Sequence, residues 1–237
     1  MRSYPARRVP GQRGITGLET AIILIAFVVL APVFAFTVLS TGIFSSEKGK
    51  ETVYAGLSEA RSSLEPRGSM IAYKGKTTSD TVFKVSFVVS NAVDGEPINL
   101  TPPYTKNDSG DDPDVSSGAK YVTIAQYQDK NQFLSDVPWT VKFIGASNGD
   151  NILDHNEVAE ISVWLLDRDT TKATSQNDSV AYMNGTSDGG GNGGFTSTDT
   201  PVVRGIEFTL EIRPPKGQVL SLNRTLPDSV TTVMDLR

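Results

Sequence analysis

The chain has 237 residues, of which 38% are hydrophobic and 21% are charged, with no cysteine and one histidine. This composition predicts one or two folded domains and excludes disulfides, thiolate zinc sites and a thiol nucleophile. The single histidine argues against multi-histidine metal centres and Ser-His-Asp hydrolases. Residues 1–14 hold four of the 22 basic residues and no acid, so the remainder has 18 basic and 27 acidic residues, a net charge of −9. A domain that acidic is not expected to bind nucleic acid.

An uncharged segment of 27 residues, 20–46, follows the basic N-terminus. As a helix it would be roughly 40 Å long, whereas a bilayer core is about 30 Å thick. The arginines before it would hold that end in the cytoplasm. The sequence therefore predicts a precursor that is inserted in the cytoplasmic membrane through one N-terminal helix.

Glu19 lies at the start of this apolar helix, where a carboxylate without a partner is costly. If the chain is cut after Gly14, the new N-terminal ammonium of Ile15 becomes a partner for Glu19, in the same chain or in a packed neighbour. Arg13-Gly14 before an apolar helix, with a glutamate five residues after the cut, is typical of processing in the type IV pilin superfamily. A signal anchor with an isolated glutamate is the alternative.

Residues 14–57, GITGLETAIILIAFVVLAPVFAFTVLSTGIFSSEKGKETVYAGL, resemble the N-terminal region of archaellins, the subunits of the archaeal motility filament. The resemblance implies a class III (prepilin-type) leader, residues 1–14, that a prepilin-type leader peptidase removes between Gly14 and Ile15. It also implies assembly with further copies or with related archaellins, and interaction with the archaellum motor ATPase and its platform protein. Such a subunit is not an enzyme and requires no cofactor.

Residues 15–65 are predicted to form one helix that is first apolar all round and then amphipathic. Its second half carries a narrow apolar stripe formed by Val53, Leu57, Ala60 and Leu64, and Pro66 is expected to stop it. An all-apolar helix is stable in water only inside a bundle, and each chain supplies one, so many copies must build the bundle. The residues assigned to this filament core are Ile22, Ile23, Ile25, Phe27, Val28, Val33, Phe34, Phe36 and Leu39.

Residues 66–237 contain short segments of alternating polarity separated by polar and Gly/Pro-rich connections. In segment 82–88, Phe83, Val85 and Phe87 share one face. The other predicted strands cover residues 121–126, 139–144, 158–166, 206–212, 219–222 and 230–234. This pattern predicts an α+β chain, in which the long hydrophobic α-helix is followed by an immunoglobulin-like antiparallel β-sandwich. Residues 107–118 and 172–201 are predicted to be exposed loops.

Several oxygen-bearing side chains lie close together between two predicted strands: Asn148, Asp150, Asn151, Asp154 and Glu157. Ca²⁺ takes roughly six to eight oxygen ligands. Because a similar turn is common in archaellins, the resemblance adds to the prediction of a Ca²⁺ or Mg²⁺ ion at this loop. A polar, Asx-rich turn that needs no ion is the alternative.

Asn-x-Ser/Thr sequons occur throughout the predicted outer domain, at Asn99, Asn107, Asn177, Asn184 and Asn223. Such sites carry glycan only if they are exposed to a glycosylation system. Since archaellins are commonly N-glycosylated, the resemblance implies N-linked glycan on at least one of them.

The sequence therefore predicts a structural subunit of an archaellum-type swimming filament that is extracellular after assembly. An archaeal adhesion pilin, processed in the same way but not rotated, is one alternative. The other is a membrane-anchored β-sandwich binding module that keeps its original N-terminus and forms no filament.

Overall fold

The computed structural model describes residues 17–75, 80–91, 96–106, 113–115, 121–168, 180–181, 194–196 and 198–236. Contacts divide the chain into two units, Met1–Tyr54 and Ala55–Arg237. The leader and its cleavage site, Gly14 and Ile15, lie outside the described residues. Most of the predicted loops 107–118 and 172–201 lie outside them too.

One helix, α1 (Gly17–Arg61), supplies every described residue of the first unit and continues into the second. It is unbroken over 45 residues, although Pro32 lies inside it. It ends four residues before the predicted end at 65, because residues Leu64–Pro66 pair as a strand with Val89–Asn91 instead of continuing the helix. The chain then turns into a strand, so that Leu64 is buried in the second unit and does not extend the helical stripe.

The second unit is built from strands, and all of the strand pairs among the described residues are antiparallel. The strands are β1 (Leu64–Pro66), β2 (Met70–Lys74), β3 (Val82–Asn91), β4 (Ile98–Asn99), β5 (Tyr104–Lys106), β6 (Pro113–Val115), β7 (Ile124–Asp129), β8 (Phe133–Leu134), β9 (Trp139–Ile144), β10 (Ile152–Leu153), β11 (Val158–Trp164), β12 (Asp167–Arg168), β13 (Val180–Ala181), β14 (Glu207–Arg213), β15 (Leu220–Thr225) and β16 (Val233–Leu236).

These strands form two larger sheets and three two-stranded ones. The six-stranded sheet has the order β16-β2-β3-β11-β9, with β1 also paired to β3, and the four-stranded sheet has the order β15-β14-β7-β8. The small sheets pair β10 with β4, β12 with β13, and β5 with β6. Some neighbours are consecutive strands, but β16 and β2, β3 and β11, and β7 and β14 are far apart in sequence, so the complete sheets form only when the whole domain folds.

A single hydrophobic core takes side chains from both larger sheets. The six-stranded sheet contributes Val85, Phe87 and Ile161, and the four-stranded sheet contributes Tyr127 and Phe208, whose rings stack with centroids 5.8 Å apart. Burial of these side chains is the main force that holds the sheets together. The predicted fold class, a long apolar helix followed by an antiparallel β-sandwich, is confirmed.

Strand β3 is buried on both faces, which the alternation of its sequence did not predict. The predicted face of Phe83, Val85 and Phe87 lies in the core, but Lys84 on the opposite face is only 8% exposed. The Lys84 Nζ lies 4.5 Å from the ring centroid of Tyr73 and 4.8 Å from that of Trp164. Two electron-rich ring faces stabilise the buried ammonium by cation–π attraction.

Candidate functional site

The apolar segment of α1 is exposed on every side in the single chain. All residues predicted for the filament core are exposed, from 52% for Ile23 to 73% for Phe36. Among the described residues, α1 is the one helix that is long and apolar enough to cross a membrane. Since water is a poor solvent for such a surface, lipid or other protein has to cover it.

The threonines within this apolar segment bond to the helix's own backbone. Thr37 Oγ1 donates to the Phe34 carbonyl at 2.9 Å, and Thr41 Oγ1 donates to the Thr37 carbonyl at 2.8 Å. Thr20 does the same near the N-terminal end of the helix, at 3.0 Å. Because these hydroxyls already have an acceptor, they are compatible with an apolar environment.

Glu19 lies in the first turn of α1. The free backbone N–H groups and the positive end of the helix dipole at this position favour a carboxylate. The contact predicted between Glu19 and the ammonium of Ile15 stays a prediction, because Ile15 is outside the described residues.

Charged side chains begin directly after the apolar segment. Lys48 and Glu51 form an ion pair along the helix, with Nζ and Oε2 2.6 Å apart. Glu47 lies at one end of an open groove of about 310 Å³ on the helix surface. The groove is lined by Phe36, Leu39, Ser40, Ile43, Phe44 and Glu47.

The last turn of α1 is fixed within the second unit by the turn between β14 and β15. Gly217 in that turn has φ +96°, and a Cβ there would lie 1.3 Å from the Ser62 carbonyl oxygen. Beside it, Lys216 Nζ lies 3.3 Å from Glu96 Oε2. The Ser58 hydroxyl, and then the Lys216 ammonium, lower the pKa of Glu96 below its usual value. No motif in the sequence predicts this helix anchor, and the Pro-Pro-Lys-Gly turn at 214–217 is the available signal for it.

The loop proposed to hold a metal ion is organised by its own backbone. Both oxygens of the buried Glu157 carboxylate accept backbone N–H groups, Oε1 from Asn148 and Oε2 from Asp154, each at 3.0 Å. Asp150 Oδ1 accepts the N–H of Ile152 at 2.9 Å. A glutamate that faces the loop's interior in this way holds the turn closed.

The other side chains of the loop bond to one another or face the solvent. Asp154 Oδ2 accepts the side-chain amide of Asn148 at 3.1 Å, and Asn151 is exposed. Within the described ranges no three His, Asp or Glu side chains are grouped so that they could hold a metal ion. The geometry fits the alternative of an Asx-rich turn, and the Ca²⁺ or Mg²⁺ ion at this loop stays a prediction.

Two of the five predicted glycosylation sites lie among the described residues, and they differ in exposure. Asn99 is half-buried in β4, and its Oδ1 accepts the N–H of Thr101 at 2.8 Å. Asn223 is exposed on β15, the edge strand of its sheet, and its Nδ2 lies 3.3 Å from Thr209 Oγ1. The remaining sequons, at Asn107, Asn177 and Asn184, are outside the described residues. Of the two described sites, Asn223 is the accessible one.

Comparison with known proteins gives matches along almost the whole chain. The profile of the family described as archaeal-type flagellin matches residues 14–224. A probable flagellin 1 of Archaeoglobus fulgidus is 31% identical over 235 residues, covering 97% of this chain and 98% of that protein. A probable flagellin 1 of Aeropyrum pernix is 30% identical and covers 93% of this chain and 95% of that protein. Among solved structures, the archaeal flagellum of Methanospirillum hungatei superposes with a TM-score of 0.56 at 21% identity, covering 94% of this chain and 99% of that one.

Proposed function

Because the chain belongs to the archaeal-type flagellin family, we propose that it is a structural subunit that polymerises into an archaellum filament for swimming. The observation that carries this proposal is the helix α1, whose apolar side chains are exposed all round in the single chain. The subunit's role is mechanical: it forms part of a polymer that a membrane motor turns. Membership of a structural protein family also agrees with a chain that is not an enzyme.

Physical chemistry favours a polymer over a closed oligomer. Each chain supplies one apolar helix, so the helix is covered outside the membrane only by helices from other copies. When identical helices contact each other through two different faces, each copy can add a further copy. The assembly then grows into an open helical polymer if the rotation between neighbouring copies does not close a ring. The membrane then serves as a store of inserted subunits, and the antiparallel sandwich forms the outer shell.

Removal of the leader explains how the helix leaves the membrane-anchored state. We propose cleavage between Gly14 and Ile15 by a prepilin-type leader peptidase, which removes all four arginines of residues 1–14. Without that charge the helix loses the residues that hold its N-terminus in the cytoplasm. The new ammonium of Ile15 is then close in sequence to Glu19 and neutralises its carboxylate.

The remaining partners follow from the same proposal. The precursor is inserted in the cytoplasmic membrane, and the assembled subunit belongs to an extracellular appendage. The archaellum motor ATPase and its platform protein would drive assembly and rotation. The loop at 148–157 is closed by its own hydrogen bonds, and a metal ion there is not part of this proposal.

N-linked glycan on the outer domain is part of the proposal, with Asn223 as the first candidate because it is exposed on an edge strand. Mass spectrometry of proteolytic peptides from native filaments tests this. Glycopeptides that contain Asn223 are expected, and Asn99, which is half-buried, is expected to be less occupied. An Asn223 peptide found only at its unmodified mass would contradict the assignment.

Deletion of the gene tests the function itself. Cells without the subunit are expected to lose both their filaments and swimming in liquid, and a plasmid copy should restore both. Loss of surface attachment with normal swimming would indicate an adhesion pilin instead. Unchanged filaments together with a subunit that stays in the membrane would indicate an anchored binding module.

A further inference from the structure

The groove on α1 contains a carboxylate that the polymer would have to accommodate. Glu47 closes one end of a groove whose other lining residues include Phe36, Ile43 and Phe44, all more than half exposed in the single chain. When another helix covers these aromatic and aliphatic side chains, Glu47 also loses water. A carboxylate removed from water requires a cation close by.

Within its own chain Glu47 forms no ion pair among the described residues. The neighbouring Lys48 is already paired with Glu51 at 2.6 Å. Lys50 lies one turn beyond Glu47 on the same side of the helix, is exposed, and forms no ion pair among the described residues. The helix surface therefore presents one unpaired acid and one unpaired base side by side, which makes it complementary to a copy of itself.

We propose that the groove around Glu47 receives the α1 helix of a second copy of this chain, and that Glu47 pairs with Lys50 of that copy. This inference rests on the proposed filament function and adds the contact that sets the register of neighbouring helices. The basic residues 1–14 orient every precursor the same way, so neighbouring helices are parallel. Three residues of helix correspond to about 4.5 Å, which a lysine side chain spans when the two helices have little stagger.

The pair is distinguished from an interaction within one chain by mixing two charge-reversed chains. Glu47→Lys gives a chain with two lysines at these positions, and Lys50→Glu gives a chain with two glutamates. Alone, each places like charges together both within the chain and between copies. Together, they restore opposite charges only between different chains, so a gain on mixing reports a contact between copies.

The experiment is done in an archaeal host that lacks its own filament subunit, by counting sheared filaments in electron micrographs and measuring subunit in membranes by immunoblot. Each reversed chain alone is expected to lower filament yield by about tenfold or more, because like charges face each other across the interface. Co-expression of the two is expected to restore filaments that contain both chains. Glu47→Gln, which keeps the side-chain shape, should lower the yield in the same direction.

Lys48→Glu is the matched control, since it reverses a charge in a pair that is internal to the chain and gives Glu47 no new cation one turn away. Its yield is expected to stay within about twofold of wild type, as for an exposed ion pair. Wild-type yield from Glu47→Lys and Glu47→Gln overturns the proposal, and so does failure of the mixture when both chains are present in the membrane. In these cases wild-type filaments still form and the proposed function stands; if the wild-type chain forms none, the proposed function fails as well.

Discussion

Replacement of Gly217 by alanine is the sharpest test of how the end of α1 is held in the outer domain. Gly217 has φ +96°, a conformation that costs an L-residue with a side chain about 1–2 kcal/mol. The added Cβ would also lie 1.3 Å from the Ser62 carbonyl oxygen, where about 3.0 Å is the closest approach that real Cβ atoms show. The turn and the helix end therefore have to separate before the side chain fits.

That separation adds an overpacking penalty to the conformational one. Forcing extra volume into a packed site typically costs about 1–3 kcal/mol, so Gly217→Ala is expected to destabilise the outer domain by about 2–5 kcal/mol in total. The shift also moves Lys216 away from Glu96, which lie 3.3 Å apart in the native turn. The helix end then loses its close packing against Gly217, and the Lys216–Glu96 ion pair beside it is weakened.

Gly68→Ala is the matched control, because Gly68 has φ +87° and a Cβ added there would meet no other atom within 4 Å. It carries the conformational cost alone, about 1–2 kcal/mol. Urea unfolding of the detergent-solubilised full-length chain, followed by tryptophan fluorescence, compares the two. Both tryptophans of the chain, Trp139 and Trp164, are buried in the second unit and report its unfolding. Equal losses of stability for both variants would refute the packing of the helix end against Gly217.

Three further predictions concern the outer domain. Trp164→Phe should lower the free energy of unfolding by about 1 kcal/mol more than Trp139→Phe in the same assay. The reason is that Trp164 Nε1 donates to Thr140 Oγ1 at 3.0 Å, whereas Trp139 Nε1 is buried without an acceptor. Equal losses of stability would contradict this. Since the pKa of Glu96 is lowered in the folded state, its stabilising effect is present above the usual value of 4.5 and is lost as the pH falls through the lower folded value. Glu96→Gln should accordingly flatten the pH dependence of stability in acid, and an unchanged profile would be inconsistent with the anchor. Glu157→Ala should destabilise the outer domain by about 1–3 kcal/mol, because it leaves two loop N–H groups without their acceptor. A chelator or millimolar Ca²⁺ should leave the thermal unfolding of the wild-type chain unchanged. A clear shift of the melting temperature would indicate that the loop binds a metal ion.

The sequence predicted most reliably those elements whose signal is local. The uncharged run 20–46 is enough to specify an apolar helix, and strand 139–144 was predicted with the bounds that β9 has. The end of the helix was predicted at 65 from Pro66, but the helix ends at Arg61, because Leu64–Pro66 pairs with Val89–Asn91 in the sheet. That pairing joins segments distant in sequence, so the local pattern around Pro66 does not show it.

Other features depend on contacts between distant segments, which a pattern in one sequence does not encode. The alternation in β3 suggested one buried face, yet Lys84 on the other face is buried between the rings of Tyr73 and Trp164. An Asx-rich loop suits either an ion or a closed turn. Only the direction of the Glu157 carboxylate, towards two N–H groups, favours the turn. The sequons likewise gave no indication that Asn99 is half-buried while Asn223 is exposed.

The most direct test of the filament proposal is N-terminal sequencing and intact-mass measurement of material sheared from whole cells. Sheared filaments are expected to contain this chain beginning at Ile15, and any mass above that of the polypeptide is expected to be glycan. A chain that stays in the membrane fraction and keeps the arginines of residues 1–14 would contradict this expectation. In that case α1 would be an anchor for a surface domain and not the building element of a polymer.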